Sequence, residues 1–193
     1  MNPITHLLAS WTLSEAAGLE RRDRALASWT GLLPDLDGLG AVPDVAARLL
    51  GLPDPAFYGR FHHQLLHGLP AALLLPALTL PFARKRGRTY LAGFAAVHLH
   101  LLSDLVGSRG PDPDDLWPLH YLAPLSDAAT VAWTGQWPVN GWPNVLLTVA
   151  LMAWAFHRAV VAGTSPVELF GRRAGEAFVA TVRARWAMLR RAS

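Results

Sequence analysis

The sequence contains no cysteine among its 193 residues. Disulfide bonds, thiolate zinc sites, iron–sulfur clusters and a cysteine nucleophile are therefore excluded. Charged residues are also scarce: they make up 16% of the chain, whereas hydrophobic residues make up 52%. Because a soluble domain has about 25% charged residues, this balance indicates a protein embedded in a membrane. A metal site in this chain must use histidine, aspartate, glutamate and water.

Long uninterrupted apolar runs are the second absence. The apolar stretches at residues 68–83, 90–103 and 144–156 are each shorter than the ~20 residues of a simple transmembrane helix. Short or tilted spans and deeply buried soluble helices therefore both stay open. The composition favours an all-α, membrane-embedded bundle of about five to seven helices, forming a single domain over residues 1–193. The lipid bilayer is the expected partner, and nothing in the sequence sets the oligomeric state.

The net charge of +3 conceals local concentrations of arginine. Arginines cluster at residues 21–24, 84–88 and 172–191, a distribution typical of cytoplasmic loops or of contact with anionic lipid. No nucleic-acid-binding motif accompanies them, so specific nucleic-acid binding is not expected. The last cluster lies on a predicted basic amphipathic helix, which is expected either on a membrane surface or in solvent. Its start is marked by Ser165 as N-cap, Pro166 at the first position and Glu168 completing a capping box.

Five of the eight histidines lie between His62 and Asp104, at the two ends of that stretch. If its two apolar runs are helices and residues 84–88 form the turn between them, the segment is an antiparallel helical hairpin. A helix rise of about 1.5 Å per residue then places both histidine groups at the end remote from the turn. The hairpin therefore predicts a concentration of imidazoles at one end of the molecule.

Two pairs within this hairpin have the spacing of metal ligands. His100 and Asp104 are four residues apart, so they share one helix face, and His63 and His67 would do the same if that stretch is helical. An imidazole and a carboxylate presented together suit a divalent cation. Because buried imidazoles and carboxylates need partners, metal binding is the preferred interpretation of the cluster, with hydrogen-bonded core histidines as the alternative.

The N-terminal part of the chain supplies further polar residues. A first helix is predicted over residues 3–17, with His6 in its first turn, and residues 20–24 are expected to close it and face solvent. Pro34 and Gly38 place Asp35 and Asp37 on a turn. Those aspartates form either an Asx-type turn or carboxylate ligands that approach the hairpin. A calcium loop is rejected because its third acidic position and closing glutamate are missing.

The part of the chain after Gly107 is less regular. Glycine and proline make residues 107–121 a loop, which either covers the site or is an exposed connection. A helix is predicted over residues 122–133. Trp133, Trp137 and Trp142 then form either an aromatic belt at a membrane interface or part of the core.

Five motifs, taken in order, resemble the YdjM-like membrane-bound metal-dependent hydrolases of bacteria. Members have a His-Leu-Leu start, a PDxD turn, HRGxTHS, HxxxD on a helix, and a loop ending in Trp-Pro. The corresponding residues here are His6-Leu7-Leu8, Pro34-Asp35-Leu36-Asp37, His62-His63-Gln64-Leu65-Leu66-His67-Gly68, His100-Leu101-Leu102-Ser103-Asp104 and Trp117-Pro118. The likeness covers residues 1–124, a hydrolase-like motif region, and leaves residues 125–193 as C-terminal helices without a recognised motif. The family is more distantly similar to the helical fold of zinc-dependent phospholipase C and nucleases.

The resemblance implies a site and a chemistry. A divalent metal, Zn²⁺ by preference, would activate water to attack an ester or phosphoester of a small molecule or lipid, in the bacterial inner membrane. Asp37 or Asp104 would act as general base. The Arg, Thr and Ser of HRGxTHS are lost here and His63 is gained; whether His63, His98 or His120 joins the site stays open. The implied metal ligands are His6, Asp35, His62, His67, His100 and Asp104.

Two other functions fit the same residues. Paired helix histidines could serve as axial ligands of a haem in a non-enzymatic electron-transfer protein, although Asp35 and Asp104 would then have no role. The second alternative is a structural membrane protein whose histidines are incidental.

Overall fold

The computed structural model describes residues 1–192, which form seven helices of nine residues or more and one helix of five. The α-helices are α1 (Pro3–Ala16), α2 (Arg21–Thr30), α3 (Ala41–Leu49), α4 (Phe57–Phe61), α5 (Leu69–Thr79), α6 (Arg86–Gly107), α7 (Trp142–Val161) and α8 (Arg172–Ala192). Short 3₁₀ segments cover Leu33–Gly40, Leu80–Phe82 and Pro166–Phe170. Two short antiparallel strands are β1 (Leu119–His120) and β2 (Thr130–Val131). The predicted all-α class is confirmed.

Helix α6 is the central element, packed between α1, α2 and α5. Its buried residues recur every three or four positions, so they form one continuous stripe along the helix. At the N-terminal end the stripe is small and apolar, with Ala92, Gly93 and Ala96, and at the C-terminal end it carries His100 and Asp104. The same helix face therefore packs the core and presents the polar residues.

The predicted hairpin is present as α5 and α6. They approach closely because Gly93 has no side chain: a Cβ there would lie 2.9 Å from the Cβ of Pro76 in α5. His63 and His67 do not lie on a helix, because α5 begins only at Leu69, so the condition for their sharing a helix face is not met. Residues 62–68 are turns and bends, and His63 has a left-handed φ of 64°.

Residues 20–24 do not simply close α1 and face solvent, as predicted. They begin α2, and Asp23 and Arg24 are buried. Asp23 accepts hydrogen bonds from the backbone N–H groups of Arg84 and Lys85, at 2.9 and 2.8 Å, just before α6 begins. Burial tends to raise the pKa of Asp23, but these backbone donors outweigh it and lower the pKa. The buried carboxylate thus fixes the start of the central helix.

Two predictions for the C-terminal half are also wrong. Residues 122–133 form turns and strand β2 instead of a helix. The terminal helix begins at Arg172, because Gly171 with φ 138° separates it from the 3₁₀ segment that follows Ser165. Glu168 completes no capping box: it accepts hydrogen bonds from Arg24 and Trp11, which bind the C-terminal segment to α1 and α2.

Two helices, α6 and α7, are long and apolar enough to cross a membrane. They differ in burial, since 44% of the apolar window of α6 is buried within the protein but only 17% of that of α7. The face that α7 directs outward is lined with large apolar side chains, including Val145, Met152 and Phe156. Lipid tails are as apolar as these side chains, so a bilayer would shield this face from water.

Candidate metal centre

Histidine and aspartate side chains from four segments converge at the C-terminal end of α6. The closest approach joins Nε2 of His67 to Nε2 of His100, which lie 3.1 Å apart. Oδ2 of Asp104 lies 3.1 Å from the His100 nitrogen and 3.6 Å from the His67 nitrogen. Oδ1 of Asp35 completes the group at 3.7 Å from the His100 nitrogen. Three potential ligand atoms therefore lie within 3.7 Å of Nε2 of His100.

The other nitrogen of each central imidazole is held by a hydrogen bond. Nδ1 of His100 lies 2.9 Å from the carbonyl oxygen of Gly31, which can only accept, so this nitrogen carries the proton. Nδ1 of His67 donates in the same way to Oδ2 of Asp37 at 2.9 Å. In the neutral rings both Nε2 atoms therefore direct lone pairs at each other, and only a proton or a metal cation can bridge them.

Asp37 lies at the outer edge of this group and holds two histidines. Its Oδ1 lies 2.8 Å from Nδ1 of His62, and its Oδ2 also accepts from the backbone N–H of Leu66 at 3.1 Å. Burial would raise the pKa of Asp37, but hydrogen bonds from His62 and His67 lower the pKa far below its usual value. The carboxylate is therefore ionised, with both oxygens engaged.

The carboxylates beside His67 favour its protonated form. Burial lowers the pKa of His67, but the nearby carboxylates of Asp104 and Asp37 outweigh burial and raise the pKa to about 9. His63 behaves oppositely, since burial and the neighbouring His67 charge lower its pKa to about 2. The rings of His63 and His67 nevertheless stack, with centroids 4.3 Å apart.

His6, in α1, contacts the group from the remaining side. Its ring stacks on His100 with centroids 3.7 Å apart, and its Nε2 lies 3.1 Å from Oδ1 of Asp104. The same carboxylate oxygen contacts the amino group of Met1 and accepts a hydrogen bond from Ser108 at 2.8 Å. Asp104 thus joins α1, α6 and the converging histidines.

The donor set fits a divalent cation. Metal–nitrogen distances of about 2.0–2.1 Å around a tetrahedral ion place its ligands roughly 3.3 Å from one another, close to the 3.1–3.7 Å observed. Within residues 1–192, the buried Oδ2 atoms of Asp35 and Asp104 have no hydrogen-bond partner. Three groups of residues could each hold a metal ion: Asp35, His67 and His100; His6, His100 and Asp104; and His62, His63 and His67.

A cavity of about 260 Å³ adjoins the centre and reaches the surface. Tyr58, His62, His63 and Trp117 line one side of it, and Asp35 and Asp104 lie at its inner end. Trp117 packs edge-on against His62 and His63, with ring centroids 5.4 and 4.4 Å away. The loop after Gly107 therefore lines the cavity beside the site. Of the two predicted alternatives, this agrees with a loop at the site and not with an exposed connection.

The structure brings together all seven residues predicted for the site: His6, Asp35, Asp37, His62, His67, His100 and Asp104. It adds His63 and leaves out two other histidines. His98 contacts the hydroxyl of Tyr121, and His120 lies on β1 near Thr130. Sequence reasoning missed Gly31, which acts through its backbone and leaves no side-chain signal.

Among the comparisons with known proteins, the match is to a family profile. No curated protein and no solved structure matches the chain. The profile of the YdjM inner membrane protein family matches residues 1–184, nearly the whole chain and well past the motifs that end near Pro118. The chain belongs to the YdjM inner membrane protein family.

Proposed function

We propose that this protein is a metal-dependent hydrolase of the bacterial inner membrane that cleaves an ester or phosphoester. The observation that carries the proposal is the convergence of two imidazole nitrogens and two carboxylate oxygens within 3.1–3.7 Å of their neighbours. In both imidazoles the other ring nitrogen, Nδ1, is hydrogen-bonded to the protein, as in metal-ligating histidines. The borderline N and O donors favour Zn²⁺ among divalent ions.

The chain's own residues divide into ligands and groups that orient them. His67, His100, Asp104 and Asp35 would hold the ion, with His6 and His62 at the edges of the same cluster. A divalent ion there supplies Lewis acidity and lowers the pKa of water towards neutrality.

Asp37 orients His67. It is not available as a general base, because both of its oxygens already accept hydrogen bonds. The general-base role expected of Asp37 or Asp104 therefore passes to Asp35 in this proposal. Oδ2 of Asp35 has no partner within the described residues, and the side chain keeps 19% of its surface exposed. It can accept a proton at the inner end of the cavity.

The lining of the cavity limits the substrate. A volume of about 260 Å³ accepts a small molecule or a head group, whereas drug-sized ligands occupy about 300–1,000 Å³. Tyr58, His62 and His63 provide hydrogen-bonding groups where the family's Arg, Thr and Ser are missing, and Trp117 provides a flat apolar wall. His63 is neutral at physiological pH, so it recognises the substrate without a charge.

Haem binding is less well supported. Axial ligation requires two imidazoles on opposite faces of a porphyrin, but the facing nitrogens of His67 and His100 are only 3.1 Å apart. Two carboxylates share that space. The absence of a Soret band in purified protein checks this point.

The first test is elemental analysis of detergent-purified protein. We expect near-stoichiometric zinc, manganese or iron in the wild type and its loss in a variant with both His100→Ala and Asp104→Ala. A Ser103→Ala variant is the matched control, because Ser103 lies on the same helix but only hydrogen-bonds the carbonyl of Leu99. A folded wild type that takes up no metal from zinc-supplemented buffer would refute the proposal.

The second test is hydrolysis of chromogenic esters and phosphodiesters by the metal-loaded protein. Asp35→Asn should abolish turnover while retaining more metal than the double variant, because Asp35 is the outermost of the four ligands. Turnover that survives in Asp35→Asn would show that Asp35 is not the general base.

A further inference from the structure

A second cavity, of about 450 Å³, lies between α2, the segment before α8 and α8 itself. It is at the opposite end of the bundle from the metal centre. Helix α1 runs between the two ends, and His6 and Ala16 are separated by ~15 Å along its axis. Four arginines line this cavity: Arg21, Arg24, Arg172 and Arg183.

The cavity carries an excess of positive charge. Arg24 is neutralised by Glu168, which it contacts through Nε and Nη2. Among the described residues that line the cavity, the one other carboxylate is that of Glu176, which is 67% exposed and lies 3.7 Å from Arg172. Guanidinium groups concentrated in this way are suited to phosphate.

Helix α8 begins at this cavity with charges of the wrong sign for a helix start. Its first turn contains Arg172 and Arg173 and no acidic residue. The N-terminus of a helix carries a partial positive charge, so cations there are unfavourable and an anion is favourable. Gly175, which is buried and lines the cavity, lets this first turn pack closely against the 3₁₀ segment, because a Cβ there would lie 2.8 Å from Cβ of Glu168.

Ser165 provides an independent indication of a ligand. It lines the cavity and is only 1% exposed, and its Oγ has no hydrogen-bond partner within residues 1–192. Ser165 precedes the 3₁₀ segment at Pro166–Phe170 but makes no side-chain cap there. A buried hydroxyl without a partner is costly, and an anion in the cavity would supply the missing acceptor.

Arg183 is also held in a position from which it can bind an anion in the cavity. Its Nε donates to the carbonyl oxygens of Ala159 and Val160, at 3.2 and 3.0 Å, at the end of α7. Gly163 leaves room for the guanidinium, because a Cβ there would lie 3.1 Å from Nη2. The terminal nitrogens, Nη1 and Nη2, make no hydrogen bond to the described part of the chain.

We propose that this cavity binds a phosphate group, through Ser165, through Arg172 at the N-terminus of α8 and through Arg183 about three turns further along that helix. A phospholipid head group and a free phosphate ion share this chemistry. Such a site does not depend on the metal centre or on hydrolysis.

The experiment follows thermal unfolding of the full chain in a phosphate-free maltoside detergent. Inorganic phosphate is titrated in one arm, and short-chain phosphatidylglycerol, with phosphatidylcholine of equal chain length for comparison, in the other. Wild type, Ser165→Ala, Arg172→Gln and Arg173→Gln are compared. Arg173 is the matched control, because it neighbours Arg172 on the same turn but does not line the cavity.

We expect ligand to raise the wild-type midpoint and the apparent affinity to fall about tenfold or more in Arg172→Gln and Ser165→Ala, with Arg173→Gln close to wild type. Ser165→Ala should also unfold at a higher temperature than wild type without ligand, because it removes an unpaired buried hydroxyl. A response to both ligands identifies a small-anion site, and a response to phosphatidylglycerol alone identifies a lipid head-group site.

Three results would each overturn the proposal. The first is the absence of any shift in wild type with either ligand. The second is an equal loss in Arg173→Gln and Arg172→Gln, which would show diffuse attraction by surface charge. The third is an undiminished response in Ser165→Ala.

Discussion

Asp37 orients the candidate metal centre although it does not take part in the closest group of donors. It fixes the tautomer of His67 through a hydrogen bond of 2.9 Å, and Gly31 does the same for His100 through a neutral carbonyl. A carboxylate partner increases the basicity of an imidazole more than a carbonyl does. The two central histidines are therefore unequal, and His67 would be the stronger ligand of a bound metal.

Asp37→Asn should weaken zinc binding by about 10–100-fold, because the amide keeps the size of the side chain but loses the charge that orients and polarises His67. Competition with a chromophoric chelator measures this change. Asp127→Asn is the control, since the Asp127 side chain is 86% exposed. Unchanged zinc affinity in Asp37→Asn would show that the Asp37 charge contributes nothing to the site.

At the residue scale, chain spacing predicted the candidate ligands that share a helix, whereas the other candidates followed only from the resemblance to a family. His100 and Asp104 follow directly from helix periodicity. His63 and His67 do stack, but for a different reason than predicted: a left-handed residue turns the chain where no helix exists. Such contacts depend on the tertiary path of the chain, which spacing does not encode.

At the scale of elements, the crossing of α2 and α6 positions His100. Gly31, just after α2, lies so close to its neighbours that a Cβ there would be 2.1 Å from Oγ of Ser10 and 2.9 Å from Cβ of Ala96. This contact lets the Gly31 carbonyl reach His100 at 2.9 Å. A glycine that appears incidental in the sequence therefore couples helix packing to the metal centre.

Gly31→Ala should lower the stability by about 1–3 kcal/mol, because the added methyl group forces the end of α2 away from Ser10 in α1 and Ala96 in α6. Zinc affinity should fall with it. Thermal unfolding in detergent and metal titration check the two effects. Gly87→Ala is the matched control: a Cβ at Gly87 has nothing within 4 Å, so its stability should be unchanged or about 0.5–1 kcal/mol higher.

Elements with strong periodicity or clear breakers were predictable, and those that depend on buried charge were not. The hairpin of α5 and α6 follows from two apolar runs and a basic turn. Residues 20–24 appeared to be a solvated charge cluster, yet Asp23 is buried against the backbone of Arg84 and Lys85. The charge of this segment predicts that it is exposed. The burial of Asp23 is explained by its partners, the backbone N–H groups of Arg84 and Lys85, which are distant in the sequence.

At the scale of the whole molecule, one buried ion pair connects the two ends of the chain. Arg24 and Glu168 are separated by 144 residues and are both 8% exposed. Arg24 donates to both oxygens of Glu168, and Trp11 also donates to one of them. Removing either partner leaves an uncompensated charge among α1, α2 and the segment before α8.

Arg24→Met or Glu168→Leu alone should destabilise the protein by about 3–5 kcal/mol, whereas the double variant should lose less than either single change, because no buried charge remains. The measurement is the free energy of unfolding in mixed detergent for the wild type, the two single variants and the double variant. Additive losses in the double variant would show that the two side chains act independently.

The arginine clusters and the metal centre lie at opposite ends of the bundle. Arg88 donates to the carbonyl of Ala17, which brings the basic turn before α6 to the end of α1, and Arg183 holds the end of α7. All three clusters therefore share one end. From the positive-inside rule we expect that end in the cytoplasm and the candidate metal centre on the other side of the inner membrane.

A chain without cysteine allows this orientation to be tested with single cysteines. Gly87→Cys marks the basic end, and Asp112→Cys marks the exposed loop beside the metal centre. In cells with a permeabilised outer membrane, an impermeant maleimide should label Asp112→Cys directly and Gly87→Cys only after the inner membrane is broken. Labelling of both from the same side would contradict the assigned orientation. The reverse pattern would turn the metal centre, and with it the accessible substrates, towards the cytoplasm.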